Sequence, residues 1–174
     1  RSDKARVAPL VAAIEAQGWS VWWDPEITPG QEFDRLIAAE LKALNDKFEI
    51  TDDRDYRLVF EIGDGQRTQL VIVNSNTEFF DKVEIREVWS TALLVGAPLD
   101  AALAERLLKG NDTLKLGAWR VWPAQSKGDS AQAYVVFAAQ IDANASAAML
   151  AAALAMVAQT ADALEKEITG ADAR

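Results

Sequence analysis

The chain has 174 residues, a net charge of −9 and a sequence pI near 4.6, and half of its residues are hydrophobic. This length suits one domain, or one domain with an appendage. Because the chain contains no cysteine and no histidine, disulfides, thiolate nucleophiles, a Ser-His-Asp triad and metal sites with thiolate or imidazole ligands are excluded.

The negative charge also bears on partners and location. An acidic chain is repelled by phosphate backbones and by anionic lipid surfaces, so we expect neither a nucleic-acid partner nor a membrane partner. No apolar run reaches the ~20 residues that a bilayer requires. The lack of cysteine fits a cytoplasmic protein, and no metal site is expected.

The first quarter of the chain contains two predicted helices. Apolar residues at spacings of three and four predict one helix over residues 3–17 and another over residues 33–44. Residues 19–23 favour a short strand. Residues 24–30 contain two prolines and one glycine, which is typical of a loop.

From residue 47 onward the pattern alternates, as in strands. The Asp-Gly pair in the turn over residues 63–66 predicts a hairpin between strands at 56–62 and 67–73. A third strand is predicted over residues 83–95.

The remaining elements complete an α+β fold. A short helix is predicted from Pro98 to the region of Gly110, strands over residues 114–122 and 133–141, and an amphipathic helix over 145–168 that ends at Gly170. The order helix-βββ-helix-ββ-helix predicts an antiparallel sheet of about five strands, covered by the long C-terminal helix. A helix-strand-loop appendage precedes it.

The appendage resembles part of a Toll/interleukin-1 receptor (TIR) domain of the bacterial type. The resemblance is carried by Ser2-Asp3-Lys4, Val7-Ala8-Pro9-Leu10-Val11, Gly18-Trp19-Ser20-Val21-Trp22-Trp23-Asp24, Pro29-Gly30 and Phe33-Asp34. It implies that residues 1–33 are a partial TIR segment. Its loop region, with Trp23, Asp24, Pro29 and Gly30, would then form a ligand or partner surface, and packing of the tryptophans is the alternative.

TIR members that hydrolyse NAD carry a catalytic glutamate beyond this segment. Aligning Val71-Ile72-Val73-Asn74-Ser75 with the family's next strand brings Glu78 or Glu84 near that position. These are weak catalytic candidates, because the Asp-Gly hairpin intervenes. Apart from this alignment, the alternative function is a TIR-domain NAD hydrolase or NAD-signal sensor whose catalytic half is missing from this chain. NAD is a cofactor only in that case.

Residues 34–174 are similar to the YbjN-like proteins and type III secretion chaperones. The similarity rests on the element order and on four short patterns: Arg67-Thr68-Gln69-Leu70-Val71, Asn111-Asp112, Leu116-Gly117 and Ala161-Asp162-Ala163-Leu164-Glu165. It implies a non-enzymatic, chaperone-like or regulatory module that binds a protein partner. Both resemblances include the helix predicted over residues 33–44.

Two further features point to interactions. Arg67 and Gln69 share one face of a strand, which is either a partner-binding surface or the solvent face of a half-covered sheet. The strand at residues 19–23 would leave backbone groups unpaired unless it joins a sheet edge or another copy. We therefore expect a homodimer, with the alanine-rich helix over 145–168 as a second possible contact.

Overall fold

The computed structural model describes residues 48–63, 65–124 and 131–170. The predicted elements before residue 48 lie outside these ranges, and so do Trp23, Asp24, Pro29 and Gly30. Over the described ranges the fold is α+β, with an antiparallel sheet and a long C-terminal helix. The strands are β1 (Phe48–Ile50), β2 (Tyr56–Ile62), β3 (Arg67–Val73), β4 (Glu78–Phe80), β5 (Val83–Gly96), β6 (Ala118–Pro123) and β7 (Gln132–Asp142), and the helices are α1 (Ala101–Thr113) and α2 (Ala147–Thr169).

The sheet has seven strands in the order β1-β2-β3-β5-β7-β6, and β4 also pairs with β5. Each pair is antiparallel. The expectation of about five strands is corrected here, since β1 and β4 have three residues each. Three residues are too few for an alternation of polar and apolar residues to be recognised in the sequence. The five longer strands and both described helices follow the predicted order.

Helix α2 covers one face of the sheet, which we call the helix face. Leu58, Val71 and Val88 on three neighbouring strands are fully buried beneath it, as are Leu154 and Val157 of the helix itself. By length and composition α2 would also pass as a membrane span. Its apolar stripe is instead packed on the sheet, which is the pattern of a core helix in a globular domain.

The ends of α2 agree with the sequence. The Ser146 hydroxyl accepts a hydrogen bond from the Met149 backbone N–H, which satisfies one donor of the first turn. At the other end Gly170 adopts a left-handed conformation with φ of 65°, and its N–H donates to the Lys166 carbonyl. This left-handed cap favours glycine, so the predicted end at Gly170 is confirmed.

Helix α1 continues past its predicted end near Gly110. It runs to Thr113, so the glycine lies inside the helix. The Trp119 indole approaches the glycine there. A Cβ at Gly110 would meet the Trp119 ring at 3.5 Å. This is an ordinary contact distance, so Gly110 is an interior helix residue packed against Trp119 and does not mark the end of the helix.

Candidate binding edge and groove

Arg67 lies at the start of β3 and points toward α2. Its Nε is 2.6 Å from Oδ1 of Asp162, and its Nη2 is 3.0 Å from Oε2 of Glu165. The three side chains are only 15%, 8% and 6% exposed. The interpretation of this position as solvent face is therefore wrong for Arg67. Two helix carboxylates pair with its guanidinium inside the domain, and the binding of a partner through Arg67 stays a prediction.

Gln69 is also enclosed, at 5% exposure. Its Nε2 donates to Ser90 Oγ at 2.6 Å and to the Thr91 carbonyl at 2.9 Å, and Ser90 Oγ donates to the Leu70 carbonyl at 2.5 Å. Strands β3 and β5 pair through their backbones at only two positions. The Gln69 and Ser90 side chains continue the connection where the backbone ladder stops, so Gln69 is likewise not part of a solvent face.

A side chain of α1 occupies outward backbone groups of the edge strand β6. The Trp119 N–H donates to Asn111 Oδ1 at 2.6 Å, and Asn111 Nδ2 donates to the Trp119 carbonyl at 3.4 Å. The strand ends at Pro123, which has no N–H to offer. An incoming strand therefore finds few unpaired backbone groups along β6.

Glu78 and Glu84 lie on opposite sides of the β4–β5 hairpin. Glu78 pairs with Ile85, and Glu84 pairs with Phe79. Since paired residues share a face and consecutive residues alternate, Glu84 lies on the helix face and Glu78 on the opposite face. The Glu84 carboxylate accepts a 2.5 Å hydrogen bond from Thr77. The two glutamates therefore do not form a carboxylate pair.

The residues that flank the turn of the same hairpin are apolar and exposed. Phe79 is 69% exposed, Phe80 76% and Val83 48%. The Glu84 carbonyl accepts from Ala143, on the β7 side of β5. In an antiparallel pair the facing residue then turns its own backbone groups outward, so the N–H and C=O of Phe79 point away from the sheet. We call β4 with Val83 the hairpin edge.

A groove of about 260 Å³ lies next to the hairpin edge on the face opposite α2. Its aromatic wall is Trp122, whose ring contacts Trp89 edge-on with 5.0 Å between centroids. The Trp89 Nε1 donates to Asn74 Oδ1 at 2.8 Å, which fixes that indole. The polar lining is completed by Asn76, Glu78, Glu87, Arg120 and Gln140. We call it the Trp122 groove.

The charges of the Trp122 groove are only partly compensated. Arg120 forms an ion pair with Glu87, which neutralises one carboxylate. The Glu78 carboxylate has no hydrogen bond or ion pair within the described parts of the chain, and its residue is exposed. The groove therefore carries one uncompensated negative charge beside an indole.

Other surfaces give weaker candidates. A second groove, of about 410 Å³, separates α1 from α2 above Trp119, and an Arg106–Glu167 ion pair bridges the two helices there. Over residues 48–63, 65–124 and 131–170, no three acidic side chains are grouped so that they would hold a metal ion.

Comparisons of the chain with protein-family models, curated proteins and solved structures gave no match.

Proposed function

We propose that this chain is a non-enzymatic protein-interaction module that binds an extended segment of a protein partner along the hairpin edge. The observation that carries the proposal is the pair of adjacent, exposed phenylalanines on β4, a strand whose outward backbone groups at Phe79 have no partner within residues 48–63, 65–124 and 131–170. Addition of a strand to an open sheet edge is a common mode of peptide recognition, in which backbone hydrogen bonds supply affinity and alternate side chains supply specificity.

Phe79 and Phe80 are the most exposed apolar side chains of the hairpin edge. Full burial of an exposed phenylalanine side chain contributes about 1.5–3 kcal/mol. Since Phe79 and Phe80 are 69% and 76% exposed, the two rings together supply at most about 2–4 kcal/mol on binding. Aromatic residues that contribute at least about 2 kcal/mol each dominate many interfaces. A strand of three residues offers few backbone hydrogen bonds, and the aromatic side chains must therefore provide most of the affinity.

Two other surfaces of the sheet are occupied. Helix α2 covers the helix face and holds Arg67 in an ion pair, and Asn111 closes the β6 edge at Trp119. These contacts favour the hairpin edge as the binding surface. They also give structural roles to Arg67 and Asn111, two of the residues in the patterns that carry the chaperone-like resemblance. A chaperone-like or regulatory role remains our proposal for the module.

Selection of peptides from a random displayed library tests the proposal without knowledge of the partner. We expect the wild-type chain to enrich a defined peptide family, and the double variant F79S/F80S to lose it. The matched control is L108S on α1, which removes a leucine of 72% exposure away from the hairpin edge. Equal enrichment by F79S/F80S, or none by the wild type, would overturn the proposal.

The alternative proposal is a TIR-type NAD hydrolase, and it is favoured by one feature, the position of Glu78 in a groove. The groove volume of about 260 Å³ is below the ~300–1,000 Å³ of pockets for drug-sized ligands, and NAD is larger than such ligands. An NAD-cleavage assay on the whole chain separates the two proposals. Turnover that is lost in E78Q or E84Q would contradict the non-enzymatic function.

A further inference from the structure

We infer that the Trp122 groove binds one cationic side chain, an arginine or a lysine, of the partner segment. This inference rests on the proposed function, because it states that the partner segment bound at the hairpin edge carries a positive charge. The groove lies beside the hairpin edge, within reach of a segment bound there. Glu78 and Phe80 lie on the same face of β4, the face opposite α2. A partner strand on this edge directs alternate side chains toward that face.

Charge selects a cation over an anion. The Arg120 guanidinium is already paired with Glu87, so an incoming carboxylate would have to displace a carboxylate that the fold holds in place. Glu78 has no partner among the described residues and is available to an incoming positive charge. The net charge of −9 on the whole chain attracts a basic segment at longer range.

The lining fits a long cationic side chain. The indole of Trp122 offers an apolar wall and a π face, to which guanidinium and ammonium groups are attracted. Contact with Trp89 holds that wall, and Asn74 in turn holds Trp89. The amide oxygens of Asn76 and Gln140, both exposed at the rim, can accept hydrogen bonds from the incoming group. The volume of the groove suits one side chain.

A nuclear magnetic resonance titration tests the inference with N-acetyl-argininamide as the probe. We expect saturable shifts of the Trp122 indole N–H signal, assigned with W122F, and at least fivefold weaker binding to E78Q. The matched control is E105Q, which removes an exposed glutamate on α1 and should bind like the wild type. N-acetyl-glutaminamide, which is neutral, should produce no saturable shift.

Three results would overturn the inference: unchanged binding of N-acetyl-argininamide to E78Q, equal binding of the neutral amide to the wild type, or preferential binding of N-acetyl-aspartate to the wild type. The peptides enriched on the wild type then connect the groove to the partner. If they contain a basic residue whose change to Gln weakens binding at least fivefold for the wild type but not for E78Q, the inference holds.

The same peptides distinguish a failure of the cation inference from a failure of the proposed function. Enriched peptides that depend on Phe79 and Phe80 but carry no basic residue would overturn the inference and leave the proposed function standing. If the library gives no enriched peptide, the proposed function fails. The titration with N-acetyl-argininamide still decides whether the groove binds a cation.

Discussion

Arg67 and Asp162 lie 95 residues apart in the sequence, yet Nε of the arginine is 2.6 Å from Oδ1 of the aspartate. The contact joins the first residue of β3 to helix α2, and Glu165, one turn further along the helix, binds the other side of the guanidinium. All three side chains are largely withdrawn from solvent, where loss of an opposite charge is costly.

The first prediction concerns the loss of one partner. R67A removes the cation that Asp162 and Glu165 share at the interface of sheet and helix. Removal of one member of a buried ion pair costs about 3–5 kcal/mol, and we expect the lower end of this range because Arg67 is 15% exposed. The free energy of unfolding in urea measures the effect.

A matched control for R67A is R57A, since Arg57 is an exposed arginine on the neighbouring strand β2. We expect R57A to change stability by less than about 0.5 kcal/mol. Equal stability of R67A and R57A would show that the ion pair does not hold α2 to the sheet.

The second prediction concerns Gln69. Q69L removes the donor that serves Ser90 Oγ and the Thr91 carbonyl. Buried polar groups left without a partner cost about 1–3 kcal/mol, and we expect a loss of that size in urea unfolding. Q132L, at an exposed glutamine of β7, is the control and should be close to neutral. A neutral Q69L would mean that the backbones of β3 and β5 need no side-chain bridge.

The third prediction concerns Gly117, before β6. Its φ is +83°, and a Cβ there would lie 2.7 Å from the Ala138 carbonyl oxygen. Left-handed backbone at a residue other than glycine costs about 1–3 kcal/mol, and the close contact adds to this cost. We therefore expect G117A to lower the melting temperature by several degrees, about 4–8 °C per kcal/mol for a domain of up to about 100 residues and less for a longer chain.

G96A is the control for G117A. Gly96 has no atom within 4 Å of the position of an added Cβ, and its φ is not in the left-handed range. G96A should leave the melting temperature nearly unchanged. If both variants melt alike, the close approach at Gly117 does not constrain the fold.

Much of the described fold follows from local patterns in the sequence. The Asp-Gly turn, the alternating strands and the long amphipathic helix predicted five strands and two helices in the correct order. Strands β1 and β4 were not predicted, because three residues are too few to show a period. The end of α1 was predicted too early, because a glycine inside a helix looks like a helix terminator in the sequence.

The candidate site was harder to predict for a physical reason. Arg67 and Gln69 share a face with Leu58 and Val71 beneath a helix, and the local sequence does not reveal that Asp162 and Glu165 arrive there. Long-range pairing decides whether a polar residue on a strand faces solvent. A local signal for the hairpin edge did exist, in the adjacent aromatic pair Phe79-Phe80 followed by the polar pair Asp81-Lys82 and an apolar Val83.

The fourth prediction separates binding from folding at the hairpin edge. Phe79 and Phe80 are mostly exposed, so F79S/F80S should change the free energy of unfolding by less than about 1 kcal/mol, since exposed substitutions each lie within about ±0.5 kcal/mol. Urea unfolding of the double variant beside L108S measures this. Unfolding of F79S/F80S in the absence of urea would assign the aromatic pair to the core.

Amide hydrogen exchange of the Phe79 N–H, with and without a peptide enriched by the wild-type chain, tests the central claim most directly. The Phe79 N–H points away from β5, and a strand added along β4 would take it as a donor. We predict that exchange at Phe79 slows on binding, while exchange in the β6 edge at Val121 is unchanged. Slowed exchange at β6 with none at Phe79 would contradict binding at the hairpin edge.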